Sequence, residues 1–353
     1  MGVGFFDRFR QRLRGGAAAA AAAEPAAKSE ALAAPAEEVP QDPFEPFARA
    51  LGVEVPAAAE CAPEEEEEDR ALSARLLEHF AAHRPGPTSF PSVSLQILNL
   101  VVSENPEVSE LARLVGRDPA MSAGVLSVAN SAYYRGLREI ETVRDAVTRL
   151  GLKELGRVAG AVSVRTLFNT RIRAEQVAFG ELWSELFRRA VVVGSGAAWL
   201  AMRRPGGRSD RAYLGGLLHD VGKSMALRSL AALVAEDRLP RPDEGRLLRV
   251  LDRVHVEIGG AAHQEWNLPQ YLTVMAVRHH DPAIPPDAEF AELHAVRLAA
   301  GLEDLESPFG ARAAAEVVDS ARALSADPFL VRSLKAELRE AAKRSAALMA
   351  TSP

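Results

Sequence analysis

The chain has 353 residues, 48% of them hydrophobic, with a formal net charge of −6 at pH 7 and one cysteine, Cys61. That length suffices for one or two buried cores; the acidic balance argues against a general nucleic-acid surface, and a lone cysteine excludes an internal disulfide and a thiolate metal cluster. No apolar run approaches the roughly 18 residues of a membrane helix and no signal peptide is evident, so a reducing cytoplasm is the expected compartment.

Residues 1–69 read as a disordered Ala/Pro/Glu-rich tail. Ala17 to Ala23 is pure alanine, prolines recur from Pro25 to Pro46, and Glu64 to Asp69 is one run of like charge, so the segment buries too little apolar surface to offset its ordering entropy. Its start differs: Phe6, Phe9 and Leu13 share a helical face among Arg8, Arg10, Arg12 and Arg14, which predicts a short basic amphipathic helix over 1–14 suited to weak contact with a membrane surface or a partner.

From residue 70 the pattern is helical throughout. Leu72, Leu76, Leu77 and Phe80 form one apolar face, ended by Arg84-Pro85-Gly86-Pro87. Phe90-Pro91, Asn105-Pro106 and Asp118-Pro119 each open a further helix, and Thr142 with Asp145 is a capping-box variant before a helix that stops at Gly151. Later helices are predicted over Phe290 to Leu302, Ala311 to Leu324 and Pro328 to Met349, the last with Leu330, Leu334, Leu338 and Ala341 on one side. No period-two strand interrupts them, so the fold class is all-α.

The most chemically specific stretch is Leu217-Leu218-His219-Asp220-Val221-Gly222-Lys223, where an apolar helical run stops on an imidazole and a carboxylate. Such a pair offers two ligands of mixed softness to one divalent metal. Further imidazoles follow at His255, His279 and His280, while His263 reads as a partly buried surface residue and His79, His83 and His294 as surface or capping residues. Lys223 is a candidate phosphate contact or a helix-end cation.

The order Phe90-Pro91, Asp118-Pro119, Ala129-Asn130-Ser131-Ala132-Tyr133-Tyr134, Leu150-Gly151, Leu217 to Lys223, His255-Val256-Glu257-Ile258-Gly259, Trp266-Asn267-Leu268-Pro269 and His279-His280 resembles the HDOD domain family, bacterial signalling proteins related to HD phosphohydrolases. The resemblance implies an HDOD domain over 70–285, with a bundle of about five helices over about 84–170, an HD-like subdomain over about 171–285, and helices at 286–353 completing or extending it. It also implies regulation more often than turnover. In HD phosphohydrolases a histidine on an early helix and an aspartate on a late helix complete the site. Here the early place falls on Glu185 and the late one on Ala300, so the metal site is expected to be degenerate. Cyclic-dinucleotide relatives follow their paired histidine with Gly-Tyr-Pro, and Asp281 to Pro286 holds no such tripeptide.

These readings predict a non-catalytic signal-transduction module that binds a signalling protein or a small signal, with homo-oligomers open and no cofactor required. The alternative is a phosphohydrolase acting on a nucleotide or phosphoprotein, using Fe, Mn, Zn or Mg held by His219, Asp220, Glu185, His255, His279 and His280. A third reading, weak and salt-dependent nucleic-acid binding, rests on Arg144, Arg149, Lys153 and Arg157 around Gly151.

Overall fold

The structure, a computed structural model, describes residues 44–54, 62–84, 90, 92–103, 107–134, 136, 138–170, 172–307 and 309–349. The described chain contains helices and no strand, the all-α class read from the sequence. Contacts separate residues 1–47 from 48–353; of the first unit only Phe44–Phe47 is described, as the opening turn of α1 (Phe44–Ala50). The amphipathic start over 1–14 lies outside the described residues.

In the larger unit, α2 (Pro63–Ala82) precedes a bundle of α3 (Ser92–Val101), α4 (Val108–Gly116), α5 (Pro119–Ala129), α6 (Val143–Leu150) and α7 (Leu152–Val164). Thr142 caps α6, its hydroxyl oxygen accepting from the Asp145 N–H at 3.1 Å. Gly151, at φ 76°, makes the sharp break into α7 that a side chain would strain. Asn130 pins the long loop between α5 and α6 through paired bonds with the backbone of Ile140, 2.8 and 2.9 Å. Arg149 donates to the Ala129 carbonyl and to Asn130, and Arg157 pairs with Glu154, so two of the four cations considered for nucleic acid hold the fold together.

The second half is built on α8 (Arg173–Ala201), 29 residues long and so about 43 Å. Around it pack α9 (Ser209–Leu218), α13 (Ala291–Asp304) and α15 (Pro328–Met349), with α10 (Val221–Ala235), α11 (Glu244–Glu265), α12 (Gln270–Arg278) and α14 (Gly310–Ala323) completing the layer. Trp183, Val192 and Val193 of α8 are buried in this core. The crossing of α8 and α9 is close because it is glycine on glycine: a Cβ on Gly216 would lie 2.6 Å from the Gly194 Cα.

The expected disordered tail ends too late at residue 69. Pro63 to Asp69 form the first turns of α2, which lies on α10 and α11. Asp69 is fully buried and accepts from Arg249 at 2.6 Å, with Arg246 at 3.3 Å, and Glu66 takes Arg253 at 2.7 Å. The acidic run that reads as self-repelling is thus neutralised by a row of arginines about 180 residues later in the chain. His263, expected as a partly buried surface residue, and His294, expected at the surface or as a cap, are both buried, because each lies on the core-facing side of its helix.

A buried histidine and aspartate cluster as candidate metal centre

The helix break at His219-Asp220 sets the site. Helix α9 ends at Leu218, and Asp220 (φ −102°, ψ 12°) turns the backbone before α10 begins. Gly222 then lets α10 cross directly over α11: a Cβ there would overlap the His255 carbonyl oxygen and approach the Gly259 nitrogen to 2.7 Å. This crossing carries Asp220 onto His255. At the end of α12, His279 turns back so that its Nδ1 lies 3.1 and 3.0 Å from the Met275 and Ala276 carbonyls, groups a helix end leaves unpaired.

Asp220, His255, His279 and His280 each offer one ligand atom, and the four atoms lie within 4.8 Å of one another. The His255 and His279 Nε2 atoms are 3.1 Å apart, and the Asp220 Oδ1 is 3.3 and 3.4 Å from them. Tetrahedral coordination at a metal–nitrogen distance of about 2.0–2.1 Å places neighbouring ligand atoms about 3.3 Å apart. The triangle has that size.

Protonation makes the same point. The Nδ1 of His219 faces the Gly216 carbonyl at 2.8 Å, that of His255 the Asp252 carbonyl at 2.6 Å, and that of His280 the Glu316 carboxyl at 2.6 Å. Carbonyl oxygens only accept, so in His219 and His255 Nδ1 carries the proton and Nε2 the lone pair; burial pushes the Glu316 carboxyl up to about 7, and it accepts from His280 Nδ1 when ionised. Burial pushes His219 down to about 4 and His255 down to about 3, and it lowers His280 as well, so these rings are neutral at pH 7. Burial by itself would raise the Asp220 carboxyl, but Lys223 and the surrounding imidazoles hold it well below the usual range, so it is ionised. The ligand atoms of Asp220, His255 and His279 therefore face one another at 3.1–3.4 Å, with one of His280 within 4.8 Å and His219 outside the group. Asp220 Oδ1, His219 Nε2 and His280 Nε2 are buried without a hydrogen-bond partner, which costs about 1–3 kcal/mol for each such group. A bound divalent cation removes that cost, and the donor set of three imidazoles and a carboxylate suits zinc, iron or manganese.

The other oxygen of Asp220 faces cations. Lys223 donates to Oδ2 at 2.7 Å and lies 3.8 Å from Asp252, so it is a buried partner of two carboxylates and is not free for a phosphate as the sequence suggested. Arg189 of α8 has its Nε 3.5 Å from the same oxygen and grips Asp304 of α13 with both terminal nitrogens. Glu185 is absent from the cluster: its side chain is 54% exposed and paired with Arg188 at 2.7 Å. One turn further along α8, Arg189 reaches the site, and one turn beyond Ala300, Asp304 supplies a buried carboxylate. Helix α8 thus contributes a permanent cation instead of a ligand.

Asp252, Glu316 and Arg312 were missed. Arg312 binds the Asp252 carboxylate at 2.5 and 2.8 Å and lies 3.5 Å from Glu316. Asp252 precedes His255 by one helical turn, a spacing readable in sequence; α14 joins the site only through the fold.

The family model described as HDOD domain matches residues 88–282. An uncharacterized protein of Treponema pallidum is 26% identical over 216 residues, which is 56% of this chain; the chain spans only 38% of that relative's length. Among solved structures, an HDOD domain protein of unknown function from Geobacter sulfurreducens is 22% identical with a TM-score of 0.55, covering 79% of this chain and 97% of its own. A candidate metal-dependent phosphohydrolase from Shewanella amazonensis is 23% identical at 0.51, covering 77% and 99%. A candidate signal transduction protein from Marinobacter aquaeolei is 19% identical at 0.55, covering 86% and 67%. At these identities the likeness to the three structures is one of fold.

Proposed function

This chain belongs to the HDOD domain family, and on that footing we propose that it is a regulatory module of signal transduction whose fold is locked by one buried divalent metal ion. The observation that carries the reading is the convergence of Asp220, His255, His279 and His280, with Asp220, His255 and His279 each less than 5% exposed. Catalytic metal sites keep a position open to water and substrate, whereas structural sites are closed. A bound ion would supply the positive charge that the facing lone pairs lack. Lys223 and Arg189 hold Asp220 ionised and oriented from its far side. For the signal or partner, the module offers a cleft of about 1070 Å³ between the loop after α5 and the end of α15, lined by Leu126, Asn130, Tyr133, Ile140, Lys343 and Ala347. Its mixed apolar and polar lining suits a small signal or a partner's side chains.

The test is elemental analysis of the full chain and of His279→Ala, together with hydrolysis of a chromogenic phosphodiester in added manganese. About one equivalent of metal in the native chain, less in the variant, and no hydrolysis is the expected result. Hydrolysis that disappears in Asp220→Ala favours the phosphohydrolase reading that the Shewanella protein's name suggests. Absence of metal from both proteins removes the metal from the reading.

A further inference from the structure

The family match ends at residue 282, yet the imidazole that closes the cluster is held from beyond it. The Nδ1 of His280 lies 2.6 Å from the Glu316 Oε1 of α14, and Glu316 is only 3% exposed. Among the described residues the Nε2 of His280 is buried without a hydrogen-bond partner, and one of its ring nitrogens lies within 4.8 Å of the ligand atoms of Asp220, His255 and His279. The same helix reaches a second ligand indirectly. Arg312, one turn before Glu316, clamps the Asp252 carboxylate with two bonds, and the Asp252 backbone carbonyl orients His255. Lys223 bridges Asp252 back to Asp220. A chain of alternating charge therefore runs from Asp220 through Lys223, Asp252, Arg312 and Glu316 to His280, and it returns through the histidines to Asp220.

We propose that α14 is a brace of the metal centre and that Glu316 is its positioning residue, holding the His280 ring so that Nε2 is presented to the ion. The inference rests on the metal reading above and assigns to that site a residue outside the matched domain. Hydrogen bonding of the distal ring nitrogen fixes tautomer and orientation of a ligating imidazole, and loss of such a partner typically weakens metal binding about 10–100-fold. Arg312 keeps the Glu316 carboxylate in place from the solvent side, its own side chain being 35% exposed. Elsewhere on α14 buried side chains serve packing: Val317 is fully buried, with its side chain against Gly301 of α13. That contrast allows a brace to be told from a mere support.

The experiment is zinc competition against a chromogenic chelator on the full chain, its Glu316→Ala, Glu316→Gln and Val317→Ala variants, and His279→Ala, with a melting curve for each. Expected are affinity losses of about 10–100-fold in Glu316→Ala and a smaller loss in Glu316→Gln, whose amide oxygen still accepts from Nδ1. Val317→Ala should melt earlier yet bind zinc as the native chain does. Native-like zinc affinity in Glu316→Ala overturns the proposal, as does an equal loss in Val317→Ala, which would reduce α14 to packing. If the native chain binds zinc no better than His279→Ala, the metal reading itself falls and the brace with it. Selective ¹⁵N-histidine spectra of the metal-free chain add an independent outcome: the Nδ1–H form of His280 in the native chain and a tautomer mixture in Glu316→Ala support the brace, and unchanged spectra overturn it.

Discussion

Replacing Arg189 with methionine keeps an unbranched apolar stem and removes the guanidinium with its charge, which tests what that group does. Asp304 is 6% exposed and Asp220 4%. Arg189 is the bidentate partner of the first and a neighbour of the second. Asp220 retains Lys223 at 2.7 Å, so the main loss falls on Asp304. Removing one partner of a buried pair costs about 3–5 kcal/mol, because the remaining charge stays desolvated. For a chain of this size that corresponds to a drop in melting temperature of about 5–8 °C. The double variant Arg189→Met, Asp304→Leu leaves no orphaned charge and is expected to recover most of the loss, since apolar pairs of similar volume replace buried ion pairs at little cost. Urea denaturation of the two single variants and the double closes the cycle. A loss below about 1 kcal/mol in Arg189→Met, or additive losses in the double variant, would refute the view that the guanidinium stands between the two carboxylates as a fixed cation.

Four further outcomes follow from the same structure. Chelator treatment should lower the melting temperature of the native chain, by about 4 kcal/mol of stability where free metal exceeds Kd a thousandfold, and leave His279→Ala unmoved; equal melting with and without chelator contradicts a structural ion. Gly222→Ala forces a methyl group into the backbone of His255 and Gly259, neither of which can yield, so a loss of at least about 1–3 kcal/mol together with lost metal is expected in denaturation and elemental analysis. Asp69→Ala should loosen α2 by about 1–3 kcal/mol, discounted for arginine partners that are about a third exposed; hydrogen exchange in α2 should rise above that of the control Glu68→Ala. Burial pushes His263 down to about 4 from 6.5. Its folded value is the lower one, so stability is fully present above pH 6.5 and falls by about 3 kcal/mol as pH drops toward 4; His263→Leu should flatten that part of the pH profile, and an unchanged slope would assign it elsewhere.

Much of the fold was legible because local rules and tertiary needs coincide. Proline at helix starts, the Thr142 cap and the stop at Gly151 are read within a few residues, and each helix so marked is present. The acidic run was misread because its arginine partners lie on α11, and charge in one dimension looks like repulsion. Of the candidate ligands, Asp220, His255, His279 and His280 converge, and His219 and Glu185 lie outside that group. Glu185 failed by a single helical turn: an alignment resting on one Leu-Trp pair leaves the facing residue uncertain by four positions, and the side chain that meets Asp220 is Arg189.

The amino-acid sequence alone determined the helical class, the family resemblance and four of the side chains that come together in the buried cluster, since helix periodicity, caps and imidazole chemistry are properties of short stretches. Only the tertiary structure decided which ligands meet, that cations occupy the far side of Asp220, and that α14 supports the site. Those depend on the distance between residues up to 115 positions apart, as with Arg189 and Asp304, and such distances are set by how helices cross, here by the missing side chain of Gly222 over His255.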